Sequence, residues 1–190
     1  MESCQFRDMT LADLPAVIAV ESDCYDFPWS ERVFRDCLQA GYVCRLAELP
    51  AVADGAGDTA DIGNTSSSGN TKLVGHGILM MGPGEAHVLN ICVVADCRGS
   101  GLAGRLLQSL IVTAQAESAR EVFLEVRQSN LAAMRLYEAH GFNRIAIREN
   151  YYNADSGRED AILYALTLAD PATTTATTGD NTANTTITPA

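Results

Sequence analysis

Arg98 to Gly104 reads R-G-S-G-L-A-G and lies between a strand-like run, Ala86 to Val94 (A-H-V-L-N-I-C-V-V), and a helix-like run, Leu102 to Ala119. A strand that enters a helix through three glycines and an alanine commits the middle of the chain to a strand–turn–helix unit. It also leaves the amides of the helix start uncovered by side chains. Such a terminus attracts anions, because the unsatisfied N–H groups and the helix dipole both point at the ligand. The turn therefore predicts a phosphate-bearing ligand, whose identity depends on what surrounds it.

Three phosphate turns compete for this segment. Gly99, Gly101 and Gly104 spell G-x-G-x-x-G, the dinucleotide fingerprint, and Glu125 lies about 20 residues on, where a ribose-binding acid is expected. Against it, Ala95-Asp96-Cys97-Arg98 intervenes after the strand, and at least two strand-like runs come earlier. Gly99 and Gly104 also have the outer spacing of a Walker loop, but Arg105-Leu106 stands where Lys-Ser/Thr would hold the γ-phosphate and magnesium. The third candidate is Arg98-x-x-Gly101-x-Ala103, the R/Q-x-x-G-x-G/A turn that cradles the pyrophosphate of coenzyme A. Taken alone, the segment is also compatible with a loop that binds nothing.

Downstream, Leu124-Glu125-Val126-Arg127 ends a strand, and Ser129-Asn130 opens a short helix carrying Met134 and Tyr137 before Gly141-Phe142. With these residues the chain resembles the GNAT acetyltransferase superfamily. More closely it resembles the bacterial ribosomal-protein-alanine N-acetyltransferases, the RimI family. That resemblance rests on Phe27-Pro28-Trp29-Ser30, on Leu124 to Asn130 (L-E-V-R-Q-S-N), on Leu136-Tyr137-Glu138, on Asn150-Tyr151-Tyr152 and on Gly157 to Ala161 (G-R-E-D-A). It covers roughly residues 3 to 168, apart from one insertion.

Strands are expected at Gln5–Met9, Tyr42–Leu49, Lys72–Met81, Glu85–Val94, Glu121–Val126, Phe142–Ile147 and Asp160–Leu168, from apolar alternation between turn residues. Helices are expected after the Thr10–Asp13 cap (Leu14, Val17, Ile18, Glu21), from Glu31 to Ala40 behind Ser30, from Leu102 to Ala119, and from Asn130 to His140. Leu102, Leu106, Leu110 and Val112-Thr113 read as the packing face of the third helix. Pro50 to Thr71 is poor in apolar residues and reads as a disordered insertion in a hairpin. The threonine-rich stretch 169–190 reads as a disordered tail, leaving one domain over 1–168. Elements in this order give an α/β fold with a mixed, mostly antiparallel sheet flanked by helices. The resemblance adds that the strand before the turn and the strand bearing Glu125 lie side by side, splayed into a V-shaped acetyl-CoA slot.

The resemblance implies acetyl transfer from acetyl-CoA to an amine without a metal. The amides of Gly99, Ser100, Gly101, Leu102, Ala103 and Gly104, with Arg98 nearby, would hold pyrophosphate. The main chain of Ile91, Cys92 and Val93 would pair with the pantetheine arm as an added strand, and a backbone amide there would serve the oxyanion. The plainer account of Ile91 to Val93 is a core strand. Glu125 is the candidate base: alternation puts Phe123, Glu125 and Arg127 on one face and Val122, Leu124 and Val126 on the other. An α-amine, of pKa near ~8, must lose a proton directly or through water. The alternative is a surface carboxylate paired with Arg127. Asn130, Ala133, Met134 and Tyr137 share a helix face. The resemblance makes Asn130 a pantetheine ligand and Tyr137 the acid that protonates the leaving thiolate; Tyr137 as a packed aromatic is the alternative. Phe27 to Ser30, Tyr151, Tyr152 and Arg158 to Asp160 would shape the acceptor side.

Six cysteines, at 4, 24, 37, 44, 92 and 97, form no C-x-x-C pair and read as buried free thiols of a reducing cytoplasm. No ~18-residue apolar run or apolar leader is present, so a membrane partner is not expected. A net charge of −11 disfavours nucleic acid and suits basic polypeptides. The implied acceptor is the N-terminal alanine of a small-subunit ribosomal protein, number eighteen. Broader N-terminal specificity, a small-molecule amine, and a non-catalytic acetyl-CoA-binding module stay open.

Overall fold

The computed structural model describes residues 4–50, 71–154 and 157–169. Its elements run β1 (Gln5–Asp8), α1 (Leu14–Cys24), α2 (Glu31–Gln39), β2 (Val43–Pro50), β3 (Thr71–Gly82), β4 (Glu85–Val93), α3 (Leu102–Ala116), β5 (Glu121–Arg127), α4 (Leu131–Ala139), β6 (Asn143–Ala154) and β7 (Gly157–Thr167). They form one seven-stranded sheet in the order β1-β2-β3-β4-β5-β7-β6. Every neighbouring pair is antiparallel except β4 and β5, whose connection passes through α3. That is the expected mixed, mostly antiparallel α/β architecture.

Alternating side chains give the sheet two apolar faces. Val17 and Val20 of α1 and Phe34 of α2 pack with Leu46, Leu73 and Ile78 on one of them. Leu107, Leu110 and Ala114 of α3 pack with Leu79, Val88, Leu124 and Tyr164 on the other, where Met134 and Tyr137 of α4 join them.

The sheet opens at its centre. β4 and β5 pair only from Glu85↔Glu121 to Val88↔Leu124. Beyond that point β5 stays with β7 as far as Arg127↔Ala161, and β4 stays with β3 as far as Val93↔Gly75. The fork coincides with a bulge: Leu79 faces Val88 and Ile78 faces Asn90, so Leu89 is an extra residue on β4. A bulge bends its strand and strengthens the local twist, which turns the second half of β4 away from β5. The V-shaped slot follows from this one residue.

Several expected boundaries move. Pro50 and Thr71 are paired strand ends; the rest of the expected insertion and nearly all of the expected tail lie outside the described residues. α3 stops at Ala116, three residues early, because Ser118 takes φ +64° and Ala119 folds back to donate to Ala114 O at 3.0 Å. Val112 is not on its packing face but exposed; Leu107, Ile111 and Ala114 hold that position. Ser30 stands at the start of α2 without a side-chain capping bond. β6 runs well past Ile147, so Asn150-Tyr151-Tyr152 belongs to a strand.

Candidate active site

Gly101 takes φ +81° at the start of α3 and Gly99 takes φ +75°. Both are backbone conformations that L side chains rarely adopt, and a Cβ at either position would meet nothing within 4 Å. The cradle is therefore open. Arg105 N is the first α3 amide with an acceptor inside the helix, Gly101 O at 3.1 Å. Helix geometry leaves the amides of Leu102, Ala103 and Gly104 to outside partners. Ser100 Oγ closes the turn onto Cys97 O at 2.6 Å. Gly104 answers a different need: a Cβ there would lie 3.0 Å from His140 Cε1, so it admits α4 beside α3. His140 is held in that place by its Nδ1, 2.8 Å from Leu136 O.

The turn opens into a cleft of about 750 Å³ between β4 and α4. Val94 N donates to Val74 O at 3.0 Å. In an antiparallel ladder, bonded and non-bonded pairs alternate. The main chains of Ile91 and Val93 therefore face the cleft, whereas that of Cys92 faces β3. Both outward carbonyls already have donors. Tyr25 Oη donates to Ile91 O at 2.6 Å, and Arg98 Nε donates to Val93 O at 3.1 Å. What β4 offers a ligand along this edge is thus the amides of Ile91 and Val93.

A second cavity, of about 340 Å³, meets the first where Tyr25, Ile91, Asn130 and Tyr137 line both. Glu125 lines only this second cavity. Its carboxylate pairs with Arg148 of β6, Oε1 to Nη1 at 3.1 Å, and not with Arg127. Arg127 pairs instead with Glu159 at 3.3 Å and lies over the Tyr152 ring at 4.5 Å. Tyr137 is buried between Phe142 and Tyr164, with ring centroids at 5.9 and 6.2 Å. Its hydroxyl has no hydrogen-bond partner among the described residues, and burial pushes its pKa up to about 12. Such a phenol keeps its proton at neutral pH until a stronger base appears. Asn130 caps α4, its Oδ1 accepting from Ala133 N at 3.1 Å, while its Nδ2 has no partner among the described residues.

The sequence blocks on the second cavity hold one another. Arg158 donates from Nε to Asn150 O at 2.6 Å and from Nη2 to Tyr151 O at 3.0 Å, while Asn150 N donates to Asp160 Oδ1 at 2.8 Å. These bonds stabilise a register shift between Arg148 and Tyr152, where Asn150 takes φ +51°. Glu159 Oε1 accepts from Ser129 N at 2.6 Å, tying the same hairpin to the start of α4. Burial opposes ionisation of Glu159, but the Ser129 and Arg127 hydrogen bonds outweigh it and lower its pKa. On the far wall, the Trp29 amide donates to buried Glu21 at 3.0 Å, and Glu21 is also bonded to Asn90 and His76.

Ile91 to Val93, Arg98, Gly99, Gly101 to Gly104, Asn130 and Tyr137 thus line the larger cleft and Glu125 the smaller, whereas Ser100 lines neither, the Cys92 main chain faces β3 and Gly104 also serves packing. Tyr25, Arg148, Glu21, Asn90 and His76 were not anticipated. Tyr25 sits two residues before the Phe27–Ser30 block and could have been flagged by that proximity. Arg148 meets Glu125 across β7, and Asn90 and His76 meet Glu21 of α1 from the sheet, so none of the three carries a local signal.

The model of the Acetyltransferase (GNAT) family matches residues 14–142. The ribosomal protein bS18 alanine N-acetyltransferase of Escherichia coli K12 is 35% identical over 157 residues, 83% of this chain and 93% of that protein. The crystal structure of the Escherichia coli ribosomal-protein-S18-alanine N-acetyltransferase superposes with a TM-score of 0.71 at 31% identity, covering 96% of this chain and 100% of that one. Arabidopsis thaliana NAA60 in complex with acetyl-CoA shares the fold, with a TM-score of 0.72 at 18% identity over 87% of this chain and 99% of that one.

Proposed function

The chain belongs to the GNAT acetyltransferases and, within them, to the ribosomal-protein-alanine N-acetyltransferase family, and on that premise we propose that it acetylates the N-terminal alanine of ribosomal protein bS18. The observation that carries the proposal is the meeting of two cavities at Tyr137, with Glu125 on the second one alone. A thioester delivered through the first cavity and an amine through the second would react where they join.

The amides of Gly99 to Gly104 would bind the pyrophosphate of acetyl-CoA, whose charge suits the start of α3 without a metal. Arg98 would add its Nη groups, since its Nε already serves Val93 O. The amides of Ile91 and Val93 would hold the pantetheine arm, with the Ile91 amide aimed at the thioester carbonyl, and Asn90 to Val93 would form the cleft wall. Asn130 Nδ2 would reach the same arm from α4. Glu125 would take the proton of the acceptor ammonium, directly or through a water, and the free amine would attack the thioester. As the C–S bond breaks, Tyr137 would pass its proton to the departing thiolate and recover one from the nitrogen that the attack leaves positively charged; the thiol, of pKa near ~8.5, is a stronger acid than the phenol, so the transfer runs only when coupled to that return. Phe27, Trp29, Tyr151 and Tyr152 would flank the first residues of the peptide, and the overall charge of −11 would favour a basic one.

The test is incubation with acetyl-CoA and peptides beginning Ala, Ser, Met or Lys, followed by peptide mass. The alanine peptide of bS18 should gain one acetyl group fastest, and a peptide already blocked at its N-terminus should gain none. Equal rates for all N-termini would replace the proposal with a broad-specificity enzyme. No transfer to any amine, with acetyl-CoA still bound, would leave a binding module.

A further inference from the structure

Two thiols and a guanidinium converge on the wall of the larger cleft. Cys24, the last residue of α1, is half-buried, and its Sγ lies 3.6 Å from Val93 O. Arg98 Nε donates to that same oxygen at 3.1 Å. Cys92, buried behind them on β4, lines the cleft as well. Its S–H donates to Val20 O at 3.8 Å, and it stands close enough to Cys24 for the two thiols to influence each other's ionisation. No transfer step above uses either sulfur.

The two thiols differ in character. Cys92 is held protonated, its pKa raised first by the hydrogen bond with Cys24 and then by burial. Cys24 moves the other way: the hydrogen bond from Cys92, aided by Arg98 and opposed by burial, lowers it to about 7. The shift favours the thiolate of Cys24, the form that attacks disulfides. Burial first of all raises the pKa of Cys4, Cys37 and Cys44, which keeps those thiols inert.

We propose that Cys24 is a site of covalent modification by coenzyme A. Its thiolate attacks a sulfur of coenzyme A disulfide drawn into the cleft by the phosphate turn. The S–S bond of that disulfide breaks and a bond forms between Cys24 Sγ and one coenzyme sulfur. The second coenzyme leaves as a thiolate and takes a proton from water. The disulfide is the oxidant, so no other is needed. Cys92 stabilises the attacking thiolate and gives up nothing. The adduct occupies the cleft, so acetyl transfer stops until a thiol releases Cys24. Oxidation of the coenzyme pool thereby switches off the enzyme that uses its acetylated form. The inference rests on the proposed reading of the cleft as a coenzyme A site.

The experiment treats the full chain with coenzyme A disulfide at pH 6, 7 and 8 and follows intact mass, peptide maps and peptide acetylation. Acetyl-CoA affinity is measured separately by calorimetry. One coenzyme should add at Cys24, with a rate that rises with pH and falls when acetyl-CoA is present. Activity should fall in proportion to the adduct and return with dithiothreitol. Cys24→Ser, checked for an unchanged thermal midpoint, should carry no adduct at that position and stay active through the same treatment. Binding of acetyl-CoA without an adduct, an adduct that maps to Cys97, or modification indifferent to acetyl-CoA would overturn the inference and leave the cleft reading standing. Failure to bind acetyl-CoA at all would end both.

Discussion

Glu125 Oε1 lies 3.1 Å from Nη1 of Arg148, a residue of β6, a strand that does not pair with the one bearing Glu125. The carboxylate proposed as base is thus aimed by a cation from across β7. Arg148 is 51% exposed and Glu125 17%; solvent around the guanidinium screens the pair, which contributes only about 0–1 kcal/mol to stability. Its consequence is orientation: the carboxylate is kept on the smaller cavity and away from the larger cleft.

Glu125→Gln keeps the length of the side chain and removes its basicity. Turnover should fall by roughly 10²- to 10⁴-fold, the usual range for a lost general base. Raising the pH should recover part of it, because more of the acceptor amine is already free. Measurement of kcat from pH 6 to 10 decides the matter. A variant as fast as the wild type throughout would move the proton to a water held by backbone carbonyls.

Tyr137→Phe preserves a ring packed against Phe142 and Tyr164. The missing hydroxyl leaves no donor or acceptor unsatisfied among the described residues, so unfolding and acetyl-CoA binding should be nearly unchanged. Turnover should drop by roughly 10²-fold or more. Because burial lifts the phenol to about 12, the wild type should show no basic limb from this group below about pH 11. An unaltered kcat in the variant would make Tyr137 a packing residue.

Ala103→Asp places a carboxylate at the second position of α3, where phosphate would bind. A negative charge there favours the helix by about 0.3–1 kcal/mol, so the thermal midpoint should hold or rise. Acetyl-CoA affinity should fall at least tenfold, since one anion displaces the other. Calorimetric titration beside a melting curve separates the two effects. Unchanged affinity would remove the turn from the binding site.

Arg7 holds two buried carboxylates: it is bidentate to Asp13 at 2.7 and 2.9 Å, and its Nη2 and Nε both donate to Glu48 Oε1, at 2.7 and 3.1 Å. Burial opposes its charge, yet the Asp13 hydrogen bonds, the largest influence, raise the Arg7 pKa further. Arg7→Met removes the guanidinium that the two carboxylates share, which should cost about 3–5 kcal/mol. Urea unfolding at pH 7 measures it, and a loss below about 1 kcal/mol would show that other groups neutralise the pair.

The strand–turn–helix unit, the faces of β5 and the start of α4 were legible in the chain itself. They depend on local periodicity and on backbone conformations that only certain residues adopt, and these act over a few positions. Gly99, Gly101 and the alternation around Glu125 are of this kind. The resemblance supplied the splay between β4 and β5, but its cause lies in pairing: Leu89 becomes an extra residue only because Ile78 and Leu79 of β3 fix the register on either side. The same holds for the partner of Glu125, 23 positions away on another strand, and for Arg158 meeting Asn150 and Tyr151 across a hairpin. It holds also for Cys24 and Cys92, which α1 and β4 bring together on one wall of the cleft. The sequence by itself determined which elements form and which residue types stand at the turn. The tertiary structure alone decided which charges and thiols became neighbours, because electrostatic and hydrogen-bonding partners are chosen by distance in space and leave no periodic trace along the chain.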